Sequence, residues 1–256
     1  MKKAIAVIAV LLALASCEKR PEQHSLILMS YNVGVFSKYM DNSTPDVAAL
    51  IRENGATFVG LNELDSCNNR HANYQIKDLA YQLGDGWNFH YASAFPNAGG
   101  SYGNGIVCTQ TIKKSYRVVL PKGDGAEQRS MAVVETEDCI FAAAHLDHRS
   151  KEASLEQLRV ATEWMTDVYG GATKPVFLCG DFNVTPDSEL ITRAQESWTL
   201  LSGTDFSFST KKPNRCIDYI FALKSAAPVQ VTGYKVITEG SELLSDHFPI
   251  MVEVKF

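Results

Sequence analysis

No CxxC pair and no cysteine–histidine spacing typical of zinc occurs in the 256 residues, which argues against a zinc centre. No glycine-rich turn ends in Gly-Lys-Ser/Thr. The stretch Pro96–Asn104 is rich in glycine but opens no helix, so it reads as a loop or hairpin rather than a phosphate cradle. There is no basic run beyond residue 25, and the net charge is −5, so a tight nonspecific grip on a nucleic-acid backbone is not indicated. The longest apolar run, Ala4–Ala15, is too short to span a bilayer. Fixed-period repeats, low-complexity tracts and an interdomain linker are all missing. Cysteines are too few for a disulfide framework: setting aside Cys17 leaves five of six, an odd number. Cys108, Cys139 and Cys179 lie in apolar runs and read as small buried hydrophobes. Cys67 and Cys216 lie in polar surroundings and are the one pair considered for a bridge in an oxidising compartment.

The ends of the chain carry the first positive signal. Lys2-Lys3 followed by Ala4–Ala15 form the charged and apolar regions of an export signal. Leu14-Ala15-Ser16-Cys17 resembles the lipobox of bacterial lipoproteins, with an ordinary secretory signal as the alternative. The resemblance implies a signal peptide over 1–16, lipid on Cys17, a polar tether over 17–25 and an exported protein anchored to a membrane, facing periplasm or cell exterior. Removal of residues 1–16 leaves 240 residues, and losing Lys2 and Lys3 takes the charge from −5 to −7. That length suits one domain over 26–256 with a sizeable core.

Buried-strand patterns alternate with amphipathic helices. Leu26–Tyr31 and Thr57–Leu61 are apolar runs, separated by a helix that Ser43-Thr44-Pro45-Asp46 opens with a hydroxyl cap and an early proline. Tyr74–Leu83 is a second helix. Short strands follow near Trp87–Ser93, Gly105–Thr109, Ser115–Leu120, Arg129–Glu135 and Cys139–Ala144. Leu155, Leu158, Ala161 and Met165 then mark a long helix over Ser154–Tyr169. Val176–Cys179 is the most hydrophobic strand, and a short helix near Ser188–Ala194 and three further strands complete the chain. Strand–helix–strand units mixed with hairpins predict an α/β fold of mixed sheets, two sheets packed together with helices outside.

Polar residues stand where these runs stop. Asn32 ends the first and Glu63 the second. His145 and Asp147 follow Phe141–Ala144, and Asp181 and Asn183 follow Val176–Gly180. Asp218 opens Tyr219-Ile220-Phe221, and Asp246-His247 precede Phe248-Pro249-Ile250. Each has an ordinary reading by itself: Asn32 as a turn residue, Asp181 and Asn183 as an Asx turn, His148 as a surface side chain, Asp218 and Asp246 as edge charges. Taken together, they imply a convergent acidic cleft. Clustered carboxylates need a cation, and oxygen donors suit Mg²⁺ or Mn²⁺ rather than zinc. Histidines in the same cleft add proton transfer and stabilisation of anionic oxygen.

Ser30-Tyr31-Asn32-Val33, Leu61-Asn62-Glu63-Leu64-Asp65, Ala144-His145-Leu146-Asp147, Gly180-Asp181-Phe182-Asn183, Ile217-Asp218-Tyr219-Ile220 and Ser245-Asp246-His247-Phe248-Pro249-Ile250 resemble, in order and spacing, the motifs of the endonuclease/exonuclease/phosphatase superfamily. The resemblance runs from Leu26 to the C-terminus. It implies a four-layer sandwich with the site at the shared edge of two sheets, and hydrolysis of phosphate esters by an activated water. On this resemblance Asn32, Glu63 and Asp246 bear on Mg²⁺, with Mn²⁺ as the alternative. Asp218 orients His247, Asn183 holds water or phosphate, and His145 serves the leaving oxygen. Either Asp181 or His247 accepts the proton of the water. Arg129 and Asp147 are the candidates for substrate contact. A phosphodiester is the expected substrate, drawn from nucleic acid, phospholipid headgroups or small phosphorylated molecules. The alternatives are a phosphomonoester of a small metabolite, or a catalytically idle binding lipoprotein of the same fold. No obligate protein partner is implied. Asp218 is followed by Tyr219, where inositol 5-phosphatases place arginine, and His145 stands where abasic-site enzymes have tyrosine. The loops Asn97–Asn104 and Ser202–Arg215 are expected to set substrate choice.

Overall fold

The computed structural model describes residues 24–256. Cys17 and the export signal lie outside the described residues. In chain order the elements are β1 (Ser25–Asn32), α1 (Thr44–Glu53), β2 (Phe58–Ser66), α2 (Gln75–Leu83), β3 (Asn88–Asn97), β4 (Gly100–Cys108), β5 (Lys114–Leu120), β6 (Arg129–Glu135) and β7 (Ile140–His145). They continue with α3 (Lys151–Tyr169), β8 (Val176–Asp181), α4 (Glu189–Ser197), β9 (Trp198–Leu200), β10 (Asp218–Leu223), β11 (Gln230–Val236) and β12 (Ile250–Lys255).

The strands form two six-stranded sheets, ordered β11-β12-β1-β2-β4-β3 and β5-β6-β7-β8-β10-β9. Both are mixed, because β1 runs parallel to β2 and β7 parallel to β8 while the other pairs are antiparallel. Three apolar layers hold them. Leu28, Phe58, Phe141, Phe177, Ile220 and Val252 pack between the sheets. Val47 and Ile51 of α1 and Ile76 and Leu79 of α2 cover Met29, Val59 and Leu61 on the outside of the first sheet. Leu158 and Met165 of α3 and Leu190 and Ile191 of α4 cover Val176 and Leu178 on the outside of the second. The order is therefore helices, sheet, sheet, helices, the four-layer α/β sandwich expected.

The two-residue period of a strand decides what faces where. In β8, Val176 and Leu178 lie under the helices, while Phe177 and Cys179 lie between the sheets. Strands buried on both faces read as unbroken apolar runs for this reason. Gly60 of β2 faces Cys179, and a Cβ there would lie 2.2 Å from the Cys179 sulfur, so only glycine lets the sheets approach at that point.

Local signals mostly hold, with corrections. Ser150 caps α3 by accepting the Ala153 N–H at 3.1 Å, and Ser188 caps α4 from Ile191 at 3.3 Å. Ser43 is not a cap: its hydroxyl donates to the Leu244 carbonyl, and Asn42 accepts the Thr44 N–H instead. The second strand does not end at Asn62-Glu63. It runs on to Ser66 through a bulge between Leu61 and Leu64. The glycine-rich stretch is the β3–β4 hairpin, and the short edge strand β9 carries too few residues to show a period. Cys67 and Cys216 are both free thiols, the first exposed and the second buried in the core beneath α3 and α4, so the bridge considered between them does not form.

Candidate active site

The same parity that fills the intersheet core builds the site. Asn32 shares a face of β1 with Leu26 and Leu28, Asn62 a face of β2 with Phe58, His145 a face of β7 with Phe141 and Ala143, Asp181 a face of β8 with Phe177 and Cys179, and Asp218 a face of β10 with Ile220 and Ala222. Five strands thus carry a polar residue on their intersheet side next to the apolar positions. The cleft is the continuation of the central core beyond the last apolar layer.

Glu63 is the exception to parity, and the bulge explains it. Simple alternation from Asn62 would turn Glu63 outward. Its backbone instead takes φ +59°, in the left-handed region, and the extra residue re-aims the side chain towards the cleft. The Asn32 amide nitrogen donates to Glu63 Oε1 and to Asp181 Oδ2, both at 3.1 Å. Its oxygen accepts the Gly34 N–H, which fixes the orientation of the amide. Asn32 therefore bridges two carboxylates through its nitrogen. One lone pair of the amide oxygen is engaged with the backbone, which leaves the second free towards a cation.

Asp181 is fully buried at the centre. Besides Asn32 it accepts the Asn183 N–H on Oδ1 at 2.9 Å, an Asx turn that the φ of +57° at Asn183 completes. Its own N–H is held by Asn62 Oδ1 at 2.9 Å. His145 Nε2 and His247 Nε2 both stand 3.5 Å from Oδ2. Burial pushes the Asp181 carboxyl up to about 7; Asp218 adds to the rise and His247 opposes it. His247 Nδ1 is 2.9 Å from Asp218 Oδ2. Burial alone would lower the His247 pKa, but Asp218 and Asp181 outweigh it and hold it up at about 10, so the ring is an imidazolium at neutral pH. The Asp218 N–H and that of Ile217 are tied to Ser207 Oγ. His145 is the opposite case: burial, then the positive Arg129 and His247, hold it well below the usual range, and it stays neutral. Asn183 donates its amide hydrogens to His145 Nε2 at 3.0 Å and to the Leu146 carbonyl at 3.1 Å. The carbonyl fixes the amide, so Nε2 accepts and the proton of His145 sits on Nδ1.

The remaining candidates divide. Asp246 lies on the cleft wall with Lys38 Nζ 2.7 Å from Oδ2. Partial burial works against the charge on Lys38, but Asp246, then Glu63, more than offset it and raise its pKa. Arg129 is not a solvated charge: it is 2 % exposed, donates to His148 Nδ1 at 3.2 Å and lines the cleft. His148 is a surface side chain, as expected, although it reaches the same cleft. Asp147 is not a substrate contact. Its carboxylate is spent on the N–H groups of Ala126, Arg149 and Ser150, and it staples two loops together.

Asn62, Lys38, Ser207, Phe208 and Arg215 were not singled out from sequence. Asn62 was findable, since it lies two residues past Gly60 on the core face and is fully buried. Its amide bonds Asn104 and the Ala144 carbonyl, tying both sheets to the turn at Asp181. Lys38, Ser207, Phe208 and Arg215 come from irregular segments, where no period marks them. The cleft encloses about 250 Å³, below the roughly 300–1,000 Å³ of drug-sized ligand sites. A larger groove of about 630 Å³ lies between α3 and α4. Its arginines are satisfied within the groove, Arg159 by Glu156 and Glu163, and Arg193 by Glu196, so it offers no comparable chemistry.

Two sets of residues deserve comparison as holders of a cation. Asp181, Asp218 and His247 form a buried cluster with ligand atoms within 4.8 Å of one another. Its histidine is bonded through Nδ1 to Asp218 at 2.9 Å, the arrangement of a hydrogen-bonded relay. Glu63 and Asp246 are the other pair: both offer carboxylate oxygen at the cleft, and the Lys38 ammonium on Asp246 marks this wall as one that attracts a cation.

The endonuclease/exonuclease/phosphatase family model matches residues 29–247, and the chain belongs to that family of hydrolytic phosphoesterases. Similar solved structures include a Bacteroides thetaiotaomicron protein of the same family, at 20% identity and a TM-score of 0.74, covering 92% of this chain and 96% of that one. A mannosyl-6-phosphatase of the same organism aligns at 21% identity and a TM-score of 0.73, over 90% and 100% of the two chains. ANGEL2, a 2′,3′-cyclic phosphatase, aligns at 14% identity and a TM-score of 0.72, over 91% and 95%. No curated protein matches by sequence.

Proposed function

We propose that this chain is a divalent-cation-dependent phosphoesterase in which Asp181 deprotonates the attacking water and His247 stabilises the phosphoryl oxygens. The observation that carries this reading is the buried Asp181 carboxyl beside the His247 imidazolium at 3.5 Å, with Asp218 behind the ring at 2.9 Å. A carboxylate with a pKa near 7 suits a general base at neutral pH, and a histidine already protonated suits charge stabilisation rather than proton abstraction. This favours Asp181 over His247 as the base. Asn183, held by the neutral His145, orients water or phosphate beside Asp181. Glu63 and Asp246 would hold Mg²⁺, and Asn32 keeps Glu63 and Asp181 aligned. The bound ion supplies charge neutralisation and polarisation of the phosphorus–oxygen bonds. Arg129 offers a cation to the substrate phosphate.

The same reading places the enzyme outside the cytoplasm, tethered through lipid on Cys17; the lipobox-like Leu14-Ala15-Ser16-Cys17 supports it. Metabolic labelling with a palmitate analogue tests this, and loss of label in Cys17→Ser is the expected result. For the chemistry, Glu63→Gln should remove measurable Mg²⁺ binding in calorimetry and cut hydrolysis of a generic phosphate ester by orders of magnitude. Full activity in that variant would end the proposal.

A further inference from the structure

Two guanidinium groups line the cleft, and neither has its hydrogen-bonding capacity filled by a close carboxylate. Arg129, from the start of β6, is buried, yet its Nε has no hydrogen-bond partner. Its ion pair is a long one, from Nη1 to the half-exposed Glu127 carboxylate at 3.7 Å. Arg215 closes the segment before β10 and makes no ion pair among the described residues. Its guanidinium lies over the Phe208 ring, 4.5 Å from the centroid. Phe208 in turn packs on the His247 ring at 4.8 Å. Backbone bonds fix the arrangement: the Arg215 carbonyl accepts the N–H groups of Ser207 and Phe208, and the Arg215 N–H returns to Phe208. Arg215 is thus a cation pre-placed on an aromatic plate beside the imidazolium, which lowers the entropy cost of using it.

Both arginines share one cleft of about 250 Å³ with His247; a sphere of that volume is roughly 8 Å across, small for anything beyond a phosphoryl group and part of its alcohol. A buried guanidinium nitrogen without a partner costs free energy unless a ligand satisfies it. The chemistry that satisfies both arginines is a phosphate carrying two negative charges and three non-bridging oxygens. A diester has one charge and two such oxygens, so it offers the two guanidinium groups one charge and one acceptor fewer. We infer that Arg129 and Arg215, the latter held by Phe208, form an anion clamp that selects phosphomonoester dianions of small alcohols over phosphodiesters. This rests on the phosphoesterase reading above and departs from the diester expected from sequence.

The test compares p-nitrophenyl phosphate with bis(p-nitrophenyl) phosphate, which share a leaving group, at saturating Mg²⁺. The wild-type protein should prefer the monoester. In Arg215→Gln the kcat/KM for the monoester should fall about 10- to 100-fold, the worth of one charge-assisted hydrogen bond, chiefly through KM. The diester should change less than about threefold, since it makes no use of that charge. Inhibition by inorganic phosphate should weaken in parallel, and Arg215→Lys should recover part of both. Arg215 is exposed, so the thermal midpoint of each variant serves as a folding control. Equal losses on both esters, or a wild-type preference for the diester, would overturn the clamp while leaving the phosphoesterase intact. A protein inactive on both esters, yet still binding Mg²⁺, would overturn the phosphoesterase reading and the clamp with it.

Discussion

Replacing Asp218 by Asn is the sharpest probe of the relay, because it removes one charge and almost no volume. The Asp218 side chain is buried, its Oδ2 is bonded to His247 Nδ1 and its Oδ1 has no partner, while its N–H stays tied to Ser207 Oγ in either case. The substitution therefore leaves the backbone in place and deletes the chief force holding the His247 proton. A buried hydrogen bond between charged groups is worth about 1.5–3 kcal/mol, or roughly 10- to 150-fold in rate at about 1.4 kcal/mol per tenfold. We expect kcat/KM for a p-nitrophenyl ester at pH 7 to fall by that factor. The second readout is stability against pH in the chelated protein. In the wild type, His247 binds a proton more tightly folded than unfolded, so its contribution is fully present below about 6.5 and is lost as pH rises towards about 10. Asp181 contributes a similar fall at lower pH, between about 4 and 7. The window from 7 to about 8.5 therefore isolates His247, because above it the buried thiols of Cys108, Cys139, Cys179 and Cys216, raised by burial, add a fall of their own. The thermal midpoint should drop with pH across that window in the wild type and fall less steeply in Asp218→Asn, where Asp181 alone remains beside the ring at 3.5 Å. A variant with kcat/KM within twofold of wild type and an unchanged pH slope would refute the charged relay.

Two further outcomes test the architecture. Gly180→Ala should destabilise by about 3–5 kcal/mol, because φ there is +143° and a Cβ would lie 1.8 Å from the Ala144 carbonyl oxygen. Thermal melts should show a drop of roughly 10 °C; a wild-type midpoint would mean the β7–β8 edge is looser than described. Lys38→Met should tighten Mg²⁺ binding by about two- to fivefold, a modest figure because the Lys38 side chain is 42% exposed and its pairing with Asp246 is screened. Calorimetry decides it, and unchanged or weaker binding would show that Lys38 does not compete for the carboxylates.

The parts of the site carried by regular strands were legible before any coordinates. Asn32, His145, Asp181 and Asp218 each bound an apolar run at a fixed parity, and a run so short between turn residues reads as a strand buried on both faces. Their convergence follows from the strands belonging to two packed sheets. Other features resist that reading. The direction of Glu63 depends on a bulge, which breaks the period that reading relies on. The orientation of the Asn32 amide, which bridges Glu63 and Asp181 through its nitrogen, is set by the Gly34 N–H and has no trace in the linear pattern. Asp147 matched a motif position, yet backbone amides from two segments consume its carboxylate. Cys67 and Cys216 both lie in polar stretches of sequence, and only packing separates the exposed thiol from the buried one.

By itself, then, the order of residues determined the secondary elements, the sandwich and the identity of most polar groups at its edge, since these rest on local periodicity and chain-level hydrophobicity. The roles of those groups were decided by tertiary structure. His247 is a cation because Asp218 and Asp181 stand 2.9 and 3.5 Å from its ring, and His145 is neutral first because it is buried and then because Arg129 and His247 face it; those neighbours come from segments far apart in the chain. Two histidines with the same intrinsic pKa thereby acquire opposite states, which no linear pattern encodes.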